Sequence, residues 1–318
     1  MSKKSNRSIF RVIAVLCLFL YGFSFNSMKF NIKQTDYVGS EKCISCHTEL
    51  HSEIIKEWKS SRHHLSMKEF PDYSDIKLDS FVDGEKIIAG IGENEQVLVL
   101  SDFRIIIRKD MRENNLSQPH NLIGAADIVI DASQSCLGCH STGYLVAEKK
   151  YIEPGIGCEA CHGPGSIHTE SGGSPNSIVN PSKISPDKNR MICGQCHSAG
   201  LDVSGKHPFP VIEGQFPFQP GSDLKNIFID SKPMKKTNGA EYSTFIGSPE
   251  PYSAQFCTDC HSPHGKNENP NMLIYDSSKI CKKCHGSPLG DISYVDEKVH
   301  WGAYKYKCWN CHEYAHIH

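Results

Sequence analysis

Residues 153–168 read EPGIGCEACHGPGSIH, and the five residues CEACH at 158–162 decide the fold. Two cysteines stand three residues apart, and a histidine directly follows the second. The same pattern occurs seven times and uses fourteen of the fifteen cysteines, with only Cys17 left over. The seven triplets are Cys43, Cys46, His47; Cys136, Cys139, His140; Cys158, Cys161, His162; Cys193, Cys196, His197; Cys257, Cys260, His261; Cys281, Cys284, His285; and Cys308, Cys311, His312.

Each triplet has the chemistry of a haem c attachment site. Two thiols three residues apart lie on one side of a helical turn and can add to the two vinyl groups of one haem. The adjacent histidine then reaches the iron as its proximal ligand. The sequence therefore predicts seven covalently bound haem c groups, held by the fourteen paired cysteines and the seven motif histidines.

Two other uses of paired cysteines remain as alternatives. Zinc ribbons are built from two C-x-x-C pairs, and small secreted scaffolds pair their cysteines in disulfides. Neither arrangement requires a histidine after the second cysteine, whereas all seven pairs have one. Haem is therefore the favoured interpretation.

The composition fits a protein whose interior is filled by a cofactor. Only 38% of the 318 residues are hydrophobic and 9% are aromatic, while 25 glycines and 17 prolines indicate long loops. Seven haems in a chain of 318 residues would supply much of the apolar interior. We therefore expect a mainly α fold with extensive irregular loops, organised around seven haems.

The N-terminus indicates export. Basic residues precede an apolar run from Val12 to Phe25, which is the pattern of a secretory signal. We expect residues 1–25 to be a signal peptide or an uncleaved anchor, with membrane contact only in the second case. The location would then be periplasmic or otherwise extracytoplasmic in a bacterium. The net charge of −2, with no basic patch beyond the first dozen residues, argues against nucleic-acid binding.

Ten histidines lie outside the motifs, and electron-transfer haems usually take a second histidine. Trp58 and His63 fall in a stretch, Glu49 to Lys68, that can form one helix. His168 follows a Gly-Pro-Gly turn that should direct it to another haem. The distal candidates are His63, His168, His264, His300 and His316, with His120 and His207 as weaker candidates.

A β insertion interrupts the motifs between residues 76 and 108. Asp83 and Gly84 have the chemistry of a turn, and apolar, β-branched runs at Gln96 to Leu100 and Phe103 to Arg108 predict short strands. We expect a small antiparallel sheet here. Its predicted role is a lid over the first haems, with partner docking as the alternative.

Several blocks resemble multihaem cytochromes. Residues 37–47 (YVGSEKCISCH), 136–144 (CLGCHSTGY) and 153–168 are similar to the family of the tetrahaem cytochrome c that accepts electrons from hydroxylamine oxidoreductase. The resemblance covers roughly 37–285, and 281–318 resembles a doubled C-x-x-C-H module. It implies a heptahaem domain over 37–318 with distal ligands His63, His168, His264, His300 and His316, mostly serving a haem other than the nearest in sequence.

The resemblance implies periplasmic electron transfer with redox partner proteins: other cytochromes, a membrane quinol oxidoreductase or a periplasmic oxidoreductase. An enzyme stays as the alternative. Such relatives carry Ser-x-His upstream of the motif at 257, whereas this chain has Ser248, Pro249 and Glu250. That departure leaves one distal position unassigned, and some relatives have one five-coordinate haem. The alternative function is a multihaem oxidoreductase acting on a small nitrogen or sulfur compound at such an iron.

Overall fold

The structure is a computed structural model that describes residues 36–69, 84–92, 97–108, 122–123, 130–230, 256–265 and 272–275. All of them belong to one compact unit, Gln34–His318. Several predictions lie outside the described residues: the N-terminal segment 1–25, the last two motifs, His120, His300 and His316.

The helices are short apart from the first one. They are α1 (Ser40–Lys59), α2 (Ala132–Ser135), α3 (Leu137–His140), α4 (Cys158–His162), α5 (Ser166–Glu170) and α6 (Pro186–Gly194). Single 3₁₀ turns lie at His64–Ser66, Pro175–Ser177, Pro181–Lys183, Leu224–Asn226 and Cys257–Asp259. Among these described helices, none is long and apolar enough to cross a bilayer.

A five-stranded antiparallel sheet follows the first helix. Its strands, in both chain and spatial order, are β1 (Met67–Glu69), β2 (Ile87–Ile91), β3 (Val97–Leu100), β4 (Ile105–Arg108) and β5 (Leu122–Ile123). Three two-stranded sheets pair β6 (Ser141–Thr142) with β7 (Glu153–Pro154), β8 (Gly200–Asp202) with β11 (Phe228–Asp230), and β9 (Val211–Ile212) with β10 (Phe216–Pro217). The predicted antiparallel sheet is present, and it is larger than the interval 76–108.

The predicted helix from Glu49 to Lys68 is wrong at both ends. Helix α1 begins at Ser40, includes the first motif and ends at Lys59. Beyond it the hydroxyl of Ser61 accepts a hydrogen bond from the backbone N–H of His64 at 3.2 Å, which favours a tight turn over a continued helix. Met67 and Lys68 then pair with β2 as the edge strand of the sheet.

The main hydrophobic cluster joins the sheet to the second motif. Ala89, Val99 and Ile105 of the sheet are buried against Ala132 and Leu137, which lie on the two helices of that motif. Further along the chain, Phe209 packs so closely on this motif that a Cβ at Gly138 would come 2.2 Å from the phenyl ring. Only glycine fits at that position of the motif. The sheet therefore packs against an attachment site, and its role as a lid over the first haems stays a prediction.

The described part of the chain combines short helices, small antiparallel sheets and long irregular connections. The expectation of a mainly α chain with seven haems stays a prediction.

Candidate functional site: facing histidines between attachment motifs

Five of the seven motifs fall within the described residues, and each lies on or beside a helical turn. The first is inside α1, the second runs from the end of α2 into α3, and the third is α4 itself. The fourth begins in the last turn of α6, and the fifth starts at the 3₁₀ turn of Cys257–Asp259. None of the ten cysteines of these motifs is used in a disulfide. Each turn presents its two thiols together, as covalent haem attachment requires.

Thiols of different motifs contact each other. Cys43 hydrogen bonds with Cys158, and this contact lowers the pKa of the Cys158 thiol to about 7 while raising that of Cys43. Cys193 and Cys257 form a similar pair, which lowers the pKa of Cys257 to about 7. Cys139 and Cys196 make a third pair. The attachment sites are therefore immediate neighbours in space.

The fourth motif also contacts the third through its Gln195. The side-chain amide of Gln195 donates to the carbonyl oxygen of Ala160 at 2.9 Å, and Ala160 lies between the two cysteines of the third motif. The four motifs at 136, 158, 193 and 257 thus meet around one short segment.

Three motif histidines face a second histidine from a distant part of the sequence. The ring centroids of His47 and His168 are 6.3 Å apart, and the rings are inclined by 19°. His63 and His197 are also 6.3 Å apart at 63°.

The third pair, His162 and His264, has the same spacing, 6.4 Å, with nearly parallel rings. Each pair thus joins one motif histidine to one of the sequence-predicted distal candidates His63, His168 and His264.

One ring in each pair has a defined tautomer. The Nδ1 atoms of His63, His162 and His168 lie 3.1, 2.9 and 2.8 Å from the carbonyl oxygens of Pro263, Val179 and Ser174. A carbonyl oxygen can only accept, so Nδ1 carries the proton and Nε2 keeps its lone pair. Metal-binding histidines commonly have this arrangement, because the second hydrogen bond orients the ring and raises its basicity.

Burial favours the neutral form of three of the paired rings. It lowers the pKa of His63, His162 and His264, and the neighbouring histidines act in the same direction for all three. For His63 and His162 the backbone carbonyl partly opposes this effect. Neutral imidazole is the form that binds a metal ion.

The spacing of the pairs can be tested against a metal between them. A metal–imidazole bond is about 2 Å long, and the ring centre lies about 1 Å beyond the bonded nitrogen, so two imidazoles on opposite sides of one metal ion have centroids about 6 Å apart. All three observed distances agree with this value. The residues present therefore fit haem iron bound on both sides by histidine.

The other predicted ligands are placed differently. Within the described residues, His140 belongs to none of the three ring pairs, and burial lowers its pKa. His207 is buried at 4% exposure and lies 5.3 Å from the ring of Phe209, with its Nδ1 3.4 Å from the carbonyl of Gln134. His64 packs on Trp58 at 4.2 Å, so its neighbour His63 is the one that faces a motif histidine.

Sequence reasoning did not identify the supporting groups around the histidines. The carbonyl acceptors of the three Nδ1 atoms have no sequence signature, because every residue has a carbonyl. Two acidic residues, the half-buried Glu153 and the buried Glu159, were missed as well. An acidic residue next to a haem-attaching cysteine, such as Glu159, could have been noticed. Both acidic residues accept hydrogen bonds at the start of α1.

Two family models match parts of the chain. Residues 108–163 match the family described as cytochrome c554 and c-prime, and residues 250–288 match the doubled CXXCH motif. The second match includes the motif at 281, which lies outside the described residues.

Curated relatives are also multihaem cytochromes. The chain is 24% identical over 182 residues to multiheme cytochrome MtrA of Shewanella baltica, a match that covers 50% of this chain and 54% of that protein. It is 30% identical over 121 residues to cytochrome c-554 of Nitrosomonas europaea, covering 32% and 50% respectively. The chain thus spans about half the length of these curated relatives.

The fold is similar to that of a solved structure, the outer cell wall cytochrome OcwA. The TM-score is 0.57 at 19% identity, and the match covers 80% of this chain and 68% of that chain. This likeness concerns the fold alone. The two family matches, the attachment motifs and the curated relatives together support a haem-binding chain of the multihaem c-type cytochrome kind.

Proposed function

We propose that the protein is an exported electron carrier that binds seven haem c groups and passes electrons between redox partner proteins. The observation that carries the proposal is the common spacing of the three histidine pairs, 6.3 to 6.4 Å between ring centroids. When bound, haem supplies a one-electron couple whose potential depends on its axial ligands, burial and hydrogen bonds.

The pairs support an assignment of ligands. His47 and His168 would bind the haem of the first motif, and His162 and His264 that of the third. His63 and His197 would bind that of the fourth. Each distal ligand lies closer in sequence to another motif than to the motif whose haem it would bind, as the resemblance implies. Iron held on both sides by imidazole has no free coordination position, so these three centres suit electron transfer.

The contacts between motifs support a connected path. The thiol pair Cys43 and Cys158 joins the first and third attachment sites, and Gln195 joins the third to the fourth. From the fourth, Cys196 meets Cys139 of the second and Cys193 meets Cys257 of the fifth. Cofactors attached to these sulfurs would have neighbouring edges, so the chain brings five sites into one continuous set.

The N-terminal sequence supports the extracytoplasmic location, and the family resemblance supports the partners. Residues 1–25 have the pattern of a secretory signal or anchor, and covalent haem attachment agrees with export. The partners we propose are other cytochromes, a membrane quinol oxidoreductase or a periplasmic oxidoreductase. They would dock briefly through small interfaces, as transient redox partners do.

The test is low-temperature EPR of the oxidised holoprotein, with haem counted by pyridine haemochrome on the same sample. We expect seven haems per chain and low-spin signals from at least three bis-histidine centres. The variants His63→Ala, His168→Ala and His264→Ala should each convert one low-spin centre to high spin. A wild-type spectrum dominated by high-spin iron would contradict the carrier function.

A second candidate function is an oxidoreductase acting on a small nitrogen or sulfur compound at one five-coordinate haem. It is favoured by the position of His140, which lies in none of the three pairs of described rings. The same motif borders a small cavity of about 20 Å³, lined in part by Gly138, Tyr144 and Phe209. A high-spin EPR signal that changes on adding nitrite or hydroxylamine would support this candidate, and an unchanged spectrum would oppose it.

A further inference from the structure

One buried carboxylate lies at the centre of the contacts between the first and third motifs. Glu159, the residue after Cys158 in α4, is only 1% exposed. Its two oxygens accept hydrogen bonds from three backbone N–H groups, all of which lie outside α4. Val38 donates to both oxygens at 2.9 and 3.1 Å, Gly39 to Oε2 at 2.8 Å, and Gly165 to Oε1 at 2.7 Å.

The three donors belong to the starts of two different helices. Val38 and Gly39 directly precede α1, which carries His47, and Gly39 is its N-terminal cap. Gly165 is the N-terminal cap of α5, which carries His168. Glu159 therefore contacts the entrances of both helices whose histidine rings face each other at 6.3 Å.

Each of the three donors would otherwise be a helix-entry N–H group without an intrahelical partner. Such groups need an acceptor when they are buried. Both caps are glycines, so neither has a side chain that could accept from the first N–H groups of its helix, and Gly39 also has a positive φ of 79°. The carboxylate thus takes the place of two local caps and ties them together.

A neighbouring acid provides a comparison. Glu153 supports only the start of α1, because it accepts hydrogen bonds from the N–H and hydroxyl of Ser40 at 3.1 and 2.8 Å. The hydroxyl of Ser40 in turn accepts from the N–H of Cys158 at 3.0 Å. Among these two acids, Glu159 is the one that reaches α5 as well.

We propose that Glu159 is a positioning residue that sets the separation of His47 and His168, so that both rings reach one metal centre. The inference rests on the proposed haem-ligand role of this pair. It assigns a function to a residue inside the third attachment motif that acts on the ligands of the first. The cofactor bound by the third motif would keep its own ligands, His162 and His264.

The experiment compares Glu159→Ala, Glu159→Gln and His168→Ala with the wild-type holoprotein by EPR and haem counting. We expect Glu159→Ala to keep the wild-type haem count and to convert the same low-spin centre that His168→Ala converts. Glu159→Gln retains one acceptor oxygen and should convert a smaller fraction of that centre. Glu170→Gln, the same charge change at an exposed position of α5, is the matched control and should match wild type.

Two results would overturn the proposal. One is a Glu159→Ala spectrum identical to wild type, and the other is a change spread over all centres, which would indicate a general loss of structure. The wild-type spectrum tests the carrier function by itself. The difference between Glu159→Ala and wild type tests the positioning role, so the two failures are distinguishable.

Discussion

The Nδ1 atom of His63 donates a hydrogen bond to the carbonyl oxygen of Pro263 at 3.1 Å. Pro263 directly precedes His264, so the backbone that orients one distal candidate also carries another. The ring pairs His63/His197 and His162/His264 therefore share a structural support. A change at one pair can therefore reach the other through this segment.

Replacement of His63 by methionine should raise the midpoint potential of one haem. Methionine with histidine is a ligand set of higher potential than two histidines, and the orienting bond to Pro263 is lost as well. A spectroelectrochemical titration of His63→Met checks this. His64→Met is the matched control, because His64 packs on Trp58 rather than facing a motif histidine. Identical titration curves for His63→Met and wild type would exclude His63 as a ligand.

The attachment sites were predictable because their chemistry is local. The motif Cys158-Glu159-Ala160-Cys161-His162 can be recognised from five consecutive residues. Strands β3 and β4 were also predictable, because their β-branched runs are typical of strands. The end of α1 was not predictable in the same way. Residues 60–70 contain no Gly or Pro, and the helix is followed by a turn in which the Ser61 hydroxyl accepts from the backbone N–H of His64.

The pairing of ligands depends on tertiary structure. The sequence supplied His63, His168 and His264 as candidates but gave no partner for any of them, since the facing rings come from distant segments. The short edge strands β1 and β5 were missed for a similar reason. Two or three residues are too few to show a period, and these strands exist because the sheet pairs with them.

Removal of one attachment motif should remove one haem. The double variant Cys158→Ser with Cys161→Ser lacks both thiols of the third motif, so its haem cannot be attached covalently. Pyridine haemochrome analysis of denatured protein should then give six haems per chain instead of the expected seven. Cys17→Ser is the control, because Cys17 belongs to no motif and its replacement should leave the count unchanged. A count unaffected by the double variant would contradict attachment at this motif.

Trp58 should contribute strongly to stability. Its side chain is 7% exposed, and its indole N–H donates to the carbonyl oxygen of Ile156 at 3.0 Å, which ties α1 to the third motif. Trp58→Phe keeps much of the apolar contact but loses the hydrogen bond, so we expect a loss of about 1–3 kcal/mol in the free energy of unfolding. Trp58→Ala should lose about 3–5 kcal/mol. Denaturant unfolding followed by far-UV circular dichroism measures both, and equal losses would show that the hydrogen bond and the ring do not contribute separately.

Protonation of Asp202 should make the protein less stable in acid. Burial alone would raise its pKa, but hydrogen bonds from the Ser204 hydroxyl and from backbone N–H groups, including that of His207, outweigh burial and lower the pKa below the ordinary 3.8. As the pH falls, the unfolded chain therefore takes up this proton first. The stabilising contribution is complete above the unfolded pKa and is lost as the pH falls through the folded pKa. It amounts to about 1.4 kcal/mol for each pH unit between the two values.

The variant Asp202→Asn should therefore be less stable than wild type at neutral pH, with the difference shrinking as the pH falls below the ordinary pKa of 3.8. Denaturant unfolding at a series of pH values measures this convergence. Glu148→Gln makes the same charge change at an exposed position and should run parallel to wild type throughout. If the curves of Asp202→Asn and wild type stayed equally far apart at every pH, the ionised carboxylate would not be the group that holds the loop carrying His207.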